Sequence, residues 1–70
     1  MMPLTMADAG EENVILRVGG NPQVRQHLET LGFVPGHVVT VIAQINGNVI
    51  VNVKESRVAV SKEMANKIYV

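Results

Sequence analysis

The segment LETLGFVPG, residues 28–36, decides how this chain folds. It contains the end of a helix followed at once by a reversal of the chain. Gly32 can take the left-handed backbone conformation that commonly follows a helix C-terminus. Phe33 comes next, where an apolar side chain usually packs back on the last turn of the helix. We therefore expect Phe33 to contact Leu28 and the helix to stop before Gly32.

The helix that ends there has an equally clear beginning. Asn21 is a good N-cap, and Pro22 suits the first helical position because its missing N–H would have no partner there. One face of the helix carries three apolar residues at helical spacing, namely Val24, Leu28 and Leu31. This stripe predicts an amphipathic helix packed against a core. Gly19 and Gly20 stand just before it and predict a sharp turn.

Downstream of Gly32 the sequence predicts a type II turn and then a β-hairpin. The turn spans Val34 to His37, with Pro35 and Gly36 at its two central positions. Asn46-Gly47 predicts a hairpin between strands at roughly 37–44 and 48–54. A strict two-residue loop would pair Val49, Val51 and Val53 with Gln44, Ile42 and Thr40, respectively. A longer loop or a bulge would shift that register, and both alternatives remain open at this point.

The rest of the chain adds short elements of the same kind. Residues 14–18 predict a short strand, buried for much of its length. Residues 1–13 form an irregular lead-in, with Leu4 and Met6 as its apolar anchors. After the hairpin, the predicted elements are a turn at Glu55-Ser56, a strand at 57–60, a helical turn at 62–66 capped by Ser61, and a strand at 67–70. About five short strands with tight turns predict a mainly β fold, a small barrel.

Composition narrows the functional classes. The formal net charge is zero, and the six basic residues are scattered rather than clustered, which argues against nucleic acid as a partner. The chain has no cysteine, so it cannot use a disulfide or a thiolate metal site. Only two residues are aromatic, Phe33 and Tyr69, too few for a groove that binds proline-rich peptides. No signal peptide or membrane-spanning run is visible, so we expect a soluble protein. A chain of 70 residues has room for a single small domain, covering residues 1–70.

Catalysis is not indicated. No nucleophile elbow, phosphate-binding loop or metalloprotease helix is present. Gly19-Gly20 before a helix could bind an anion, but the simpler interpretation is a turn followed by an Asn21 cap. A metal site is a weaker hypothesis: His27 and His37 could join carboxylates such as Glu29. Their spacing does not place the two imidazoles together, so each is a weak candidate ligand.

The order and spacing of these features resemble the FeoA family of ferrous iron transport accessory proteins. The resemblance covers nearly the whole chain, and residues 28–36 are its most specific part. The resemblance implies an SH3-like β-barrel with one inserted α-helix and a short C-terminal helical turn. It also implies a non-enzymatic protein without a cofactor that works in the cytoplasm with a FeoB-type membrane transporter. A helix with few basic residues is where this chain departs from many relatives.

Under this hypothesis the protein binds the cytosolic GTPase region of the transporter. We expect the helix and the turn after it to form the contact, with these residues: Arg25, Leu28, Glu29, Phe33, Val34 and Pro35. Gly19, Gly20, Gly32 and Gly36 are predicted to be structural turn residues. The alternative is a metal-responsive module that binds a divalent transition metal itself. Exposed strand edges also allow a weak homo-oligomer.

Overall fold

The computed structural model of the chain describes all 70 residues. Its elements, in chain order, are a 3-10 turn (Leu4–Met6), β1 (Glu12–Val14), β2 (Arg17–Val18), α1 (Pro22–Thr30), β3 (Val38–Ile45), β4 (Asn48–Val53), β5 (Ser56–Ser61), α2 (Lys62–Ala65) and β6 (Ile68–Tyr69). The expected mainly β, SH3-like fold with one inserted helix is confirmed. Six strands form instead of about five, because the segment predicted as one strand at 14–18 belongs to two.

All strand pairs are antiparallel and lie in two sheets. One has the order β1-β3-β4-β5, and the other pairs β2 with β6. Apolar side chains fill the space between the sheets and α1. The buried core consists of Leu4, Ala7, Ile15, Val18, Leu28, Phe33, Val39, Val41, Val49, Val51, Val53, Val60, Ala65 and Ile68. No buried side-chain polar atom lacks a hydrogen-bond partner, so this core is uninterrupted by unpaired polar groups.

The helix α1 begins and ends as the sequence predicts. The Asn21 side chain accepts a hydrogen bond from the Val24 N–H at 2.9 Å. At the other end, the Phe33 N–H donates to the Leu28 carbonyl, also at 2.9 Å, and Gly32 has a φ of 107°. This is the Schellman arrangement, and it satisfies carbonyls that a helix end otherwise leaves unpaired. Leu28 and Phe33 are both fully buried, in line with the expected packing of one on the other.

The predicted turn at residues 34–37 is also present. The His37 N–H donates to the Val34 carbonyl at 3.0 Å, and Gly36 has a φ of 94°. A positive φ at the third position is what a type II turn requires, and glycine adopts it without strain. The turn leads directly into β3, so the end of α1 and the start of the sheet are held in a fixed relation.

The hairpin of β3 and β4 contains a bulge that sets its register. Asn46 and Gly47 form the two-residue loop, both with positive φ. The pairing shifts between Val41 and Ala43, so that Val51 lies opposite Val41 instead of Ile42. Likewise, Val53 faces Val39 rather than Thr40. Because facing residues point to the same side of a sheet, the bulge buries four valines together, which a strict register would not do.

The predicted strand at residues 14–18 is interrupted. Ile15 bonds to the turn after α1, through its N–H to His37 and its carbonyl to Gly36, each at 2.8 Å. The next N–H, that of Leu16, donates to Tyr69 in β6. The chain therefore passes from one sheet to the other at this point. The expectation that the strand is mostly buried is wrong, since Val14 and Leu16 are exposed.

The lead-in, the turn between β4 and β5 and the start of α2 can also be compared with the sequence predictions. Met6 is exposed and does not anchor the lead-in, whereas Leu4 is fully buried. The turn between β4 and β5 consists of Lys54 and Glu55, one residue earlier than predicted. Both have positive φ, the geometry that a two-residue hairpin loop requires. The Ser61 hydroxyl caps α2 as expected.

Candidate protein-docking surface

The residues predicted from the helix do not all reach the surface. Leu28 and Phe33 have no exposed area, so neither can touch a partner directly. Arg25 and Glu29 are exposed on α1. The two buried residues instead fix the end of α1 and the turn that follows it. Their role in any contact surface is support from beneath.

The turn beyond the helix is more accessible. Pro35 is exposed and Val34 is half-buried. Gly32 and Gly36 have the positive φ values expected of structural turn residues, and Gly20 has one as well, at 96°. A Cβ atom on Gly20 would lie 3.0 Å from Val24 Cγ1, closer than side chains normally approach, so a larger residue here would require Val24 to shift. Gly20 therefore fits the turn that the sequence predicts, whereas Gly19 has no positive φ and its N–H donates to the Lys67 carbonyl at 2.6 Å.

An exposed apolar patch lies beside this turn, consisting of Val14, Leu16 and Val38. These side chains are 50%, 55% and 46% exposed, respectively. Val14 and Val38 face each other across β1 and β3. Leu16 is two residues beyond Val14, and these two exposed residues flank the buried Ile15. We call these three residues the apolar patch.

Hydrogen bonds place the apolar patch next to the turn at 34–37. The Ile15 N–H donates to the His37 carbonyl, and the Gly36 N–H donates to the Ile15 carbonyl. Ile15 lies between Val14 and Leu16 in the chain, and Pro35 precedes Gly36, so the bonded residues are direct neighbours of both features. The apolar patch and the exposed end of the predicted site thus form neighbouring parts of one surface.

A polar groove adjoins the apolar patch on the outer face of the four-stranded sheet. Its volume is about 420 Å³. Eight residues line it, namely Glu12, His37, Val38, Thr40, Asn52, Val53, Lys54 and Glu55. Val38 belongs to both features, so the apolar patch forms one border of the groove. The lining carries two carboxylates, one ammonium group and one imidazole, and so offers charge of both signs.

This arrangement has the composition of a small protein-binding surface. Protein interfaces commonly have an apolar centre surrounded by polar and charged groups that fix orientation. A few central side chains usually contribute most of the binding free energy. Here Val14, Leu16 and Val38 form the apolar centre. The groove supplies the polar groups, among them Glu12 and Lys54.

The metal-ligand hypothesis gains no support from the geometry. His27 is exposed on α1, and His37 Nδ1 lies 3.1 Å from the Gly32 carbonyl oxygen. No group of three or more histidine, aspartate or glutamate side chains lies close enough together to hold a metal ion. The two imidazoles therefore stay on separate elements, without the carboxylates considered from the sequence.

Two residues of the apolar patch were not identified from the sequence. The run from Val14 to Val18 resembles a strand buried on both faces, because it contains four apolar residues in five. The signal that could have separated them is the alternation of Val14 and Leu16 with Ile15. In a small barrel only one face of a strand reaches the core.

Comparison with known proteins identifies the family. The model of the FeoA domain matches residues 2–70. The chain belongs to the FeoA domain family. One curated relative of this FeoA domain comes from Methanocaldococcus jannaschii, where it is described as a candidate Fe(2+) transport protein A. The two are 34% identical over 70 residues, which is 100% of this chain and 85% of the relative.

Solved structures agree with this FeoA fold. An iron uptake regulatory protein (FeoA) superposes with a TM-score of 0.88 at 25% identity, covering 96% of this chain and 91% of its own. The FeoA protein of Chlorobium tepidum gives 0.85 at 27% identity, covering 97% and 67%. A manganese-dependent transcriptional repressor shares the fold, with a TM-score of 0.88 at 20% identity, but the match covers 39% of that chain. None of the helices in this FeoA domain has the length and apolar character needed to span a membrane.

Proposed function

We propose that this protein is a non-enzymatic accessory to ferrous iron uptake that binds the cytosolic GTPase region of a FeoB-type transporter. The observation that carries the proposal is the apolar patch of Val14, Leu16 and Val38 beside the exposed turn at 34–37. Three aliphatic side chains exposed together on so small a domain form an apolar surface of the kind that marks protein-interaction sites. The cytoplasm is the compartment where such a contact would occur.

Family membership supports the iron-uptake part of the proposal. The relative from M. jannaschii is named for Fe(2+) transport, and a similar solved structure is named for iron uptake. The same names, which describe transport and uptake, also support a non-catalytic role.

The contact surface divides into anchors, polar partners and support. Covering an aliphatic side chain that is half exposed is worth on the order of 1 kcal/mol, so the apolar patch supplies affinity. We propose that two sets of charged groups fix the orientation of the bound transporter domain. These are the charged residues of the groove and, on α1, Arg25 and Glu29. Val34 and Pro35 extend the apolar area. Leu28 and Phe33 hold the turn in place from the core.

A titration with matched variants tests the proposal. The isolated cytosolic domain of the transporter is titrated calorimetrically with the wild-type protein, with and without a GTP analogue. Leu16→Lys removes an exposed patch residue, and we expect binding to weaken by about tenfold or more, which corresponds to about 1.4 kcal/mol. Ile45→Lys is the control, since Ile45 is equally exposed, at 54%, but lies at the far end of β3.

The outcomes separate cleanly. Weakening by Leu16→Lys together with unchanged binding by Ile45→Lys supports docking through the apolar patch. Equal effects of both variants would mean that the patch is not the anchor. If the wild-type protein binds in neither nucleotide state, the transporter domain is not its partner, and the proposed function is wrong.

A further inference from the structure

The strand β5 forms the free edge of the four-stranded sheet. Its only neighbour is β4, and all six of its residues pair with β4 in a continuous register. The opposite edge, β1, has only three residues. A free edge presents unpaired N–H and C=O groups, which can form hydrogen bonds with the strand of another chain.

The register shows which backbone groups of β5 are unpaired. A two-residue loop joins Val53 and Ser56, so that pair exchanges backbone hydrogen bonds, and every second pair does the same. The Lys62 N–H donates to the Gly47 carbonyl at 2.9 Å, which fits this alternation. The intervening residues, Arg57 and Ala59, and the N–H of Ser61 therefore point away from β4. None of the three appears among the backbone hydrogen bonds formed outside the helices and strands.

The edge lacks the features that usually prevent strand pairing. Proteins protect such edges with proline, bulges or several charges. The sequence of β5, SRVAVS, has no proline and no acidic residue, and Arg57 is its only charge. No bulge interrupts its pairing with β4. Ala59 is small and exposed, so it offers no steric barrier to a second strand.

We propose that two copies of this chain pair antiparallel through β5, about a two-fold axis at Ala59. In that register Ala59 faces Ala59 of the second copy, and Arg57 faces Ser61. Val58 faces Val60, which places apolar residues together. A two-fold axis at Arg57 would bring two guanidinium groups face to face, an unfavourable cross-strand pair. The second copy is the favoured occupant because the strand is compatible with itself in this register.

The short length of the β5 edge limits the affinity of the dimer. Five residues, 57–61, span roughly 17 Å, and an interface of that size falls well below the roughly 800 Å² per partner of stable complexes. The dimer is therefore weak and depends on concentration. The two β5 strands meet at the centre of the dimer, and β1 is the opposite edge of each sheet. The two apolar patches therefore lie at the outer ends of the dimer. This consequence rests on the proposed function: each dimer carries two transporter-binding surfaces. Binding two transporters held close together raises the apparent affinity of the dimer.

Charge reversal at the axis tests the dimer. Sedimentation equilibrium measures the average mass of the wild-type protein from roughly 20 μM to 2 mM, a range chosen for a weak complex. We expect the mass to rise from that of one chain toward that of two. Ala59→Lys and Ala59→Glu each place like charges opposite one another, and each alone stays monomeric. An equimolar mixture of the two variants regains the two-chain mass.

Two controls keep the result interpretable. Thermal unfolding checks that the substitutions at exposed Ala59 leave the fold intact. Gln23→Lys adds the same charge on an exposed position of α1 and leaves dimerisation unchanged. Leu16→Lys also leaves it unchanged, so a failure of transporter binding is distinguishable from a failure of pairing.

Several outcomes would overturn the proposal. A wild-type protein that stays monomeric over the whole range has no self-pairing edge. An Ala59→Lys variant that dimerises as well as wild type places the interface elsewhere. If the Ala59→Glu variant dimerises without its partner variant, the two-fold axis does not lie at Ala59. In such a shifted register the introduced carboxylate would face Arg57 of the second copy. A mixture that remains monomeric contradicts the facing of the two Ala59 residues.

Discussion

Truncation of Leu28 provides a quantitative test of how the helix end is stabilised. Leu28 is fully buried, and its carbonyl accepts the Phe33 N–H that closes the Schellman arrangement. Leu28→Ala removes a core side chain and leaves a cavity, which costs about 2–5 kcal/mol. A chain of this length has a total stability of roughly 3.5–10 kcal/mol, from typical values per residue. The variant should therefore lose a large share of its stability.

Thermal unfolding followed by circular dichroism measures this loss. In a domain of this size, 1 kcal/mol shifts Tm by about 4–8 °C, so we expect Leu28→Ala to melt at least about 8 °C lower. Gln23→Ala, on the exposed side of α1, is the control and should change stability by less than about 0.5 kcal/mol. A loss below about 1 kcal/mol for Leu28→Ala would refute the argument that this contact holds the turn.

The same site separates folding from docking. Leu28→Met keeps most of the side-chain volume and should cost less than about 1.5 kcal/mol. Because Leu28 lies beneath the surface, the folded Leu28→Met variant should bind the transporter domain as the wild-type protein does. A strong loss of binding without loss of stability would show that Leu28 contacts the partner directly, against its complete burial.

Further substitutions test other parts of the account. Gly20→Ala should destabilise more than Gly36→Ala in urea unfolding, since both have similar positive φ but only Gly20 would meet atoms at 3.0 Å. Equal losses would mean that this contact relaxes freely. Asn21→Ala should lower the free energy of unfolding by about 1 kcal/mol in the same assay, because the Val24 N–H loses its hydrogen-bond acceptor. An unchanged free energy would mean that this cap does not stabilise α1. Replacing Lys54-Glu55 by Asn-Gly should raise Tm, since these residues tolerate the left-handed conformation that both positions adopt. A lower Tm would show that the native side chains stabilise this turn.

The elements most predictable from the sequence are those determined by local interactions. The beginning of α1 at Asn21, its end before Gly32 and the loop at Asn46-Gly47 follow from backbone preferences of single residues. Each of these preferences acts within a few residues. They were therefore predictable without knowledge of the tertiary structure.

Features that depend on distant contacts were not predictable in the same way. The bulge at Ile42 follows from the need to bury Val39, Val41, Val51 and Val53 together, which a strict two-residue register does not satisfy. The break after Val14 arises because Ile15 bonds to the turn at 34–37 and Leu16 bonds to β6. Both depend on where other parts of the chain lie. Local pattern alone carries no such information.

The candidate surface shows the same division. The turn at Val34 and Pro35 was predicted, and it is accessible. Leu28 and Phe33 were assigned to the surface region, yet both are buried. An apolar residue has the same sequence signal whether it packs inside or lies exposed. Only the fold shows that Val14, Leu16 and Val38 lie together outside the core.

Chemical-shift mapping tests the docking surface most directly. The ¹⁵N-labelled protein is titrated with the unlabelled cytosolic domain of the transporter, and backbone amide shifts are followed at each residue. We predict that the largest changes and line broadening occur at residues 14–16 and 34–38, with small changes in α2 and at the tip of the β3–β4 hairpin. Changes concentrated in α2 or at that tip, with residues 14–16 and 34–38 unaffected, would contradict docking through the apolar patch.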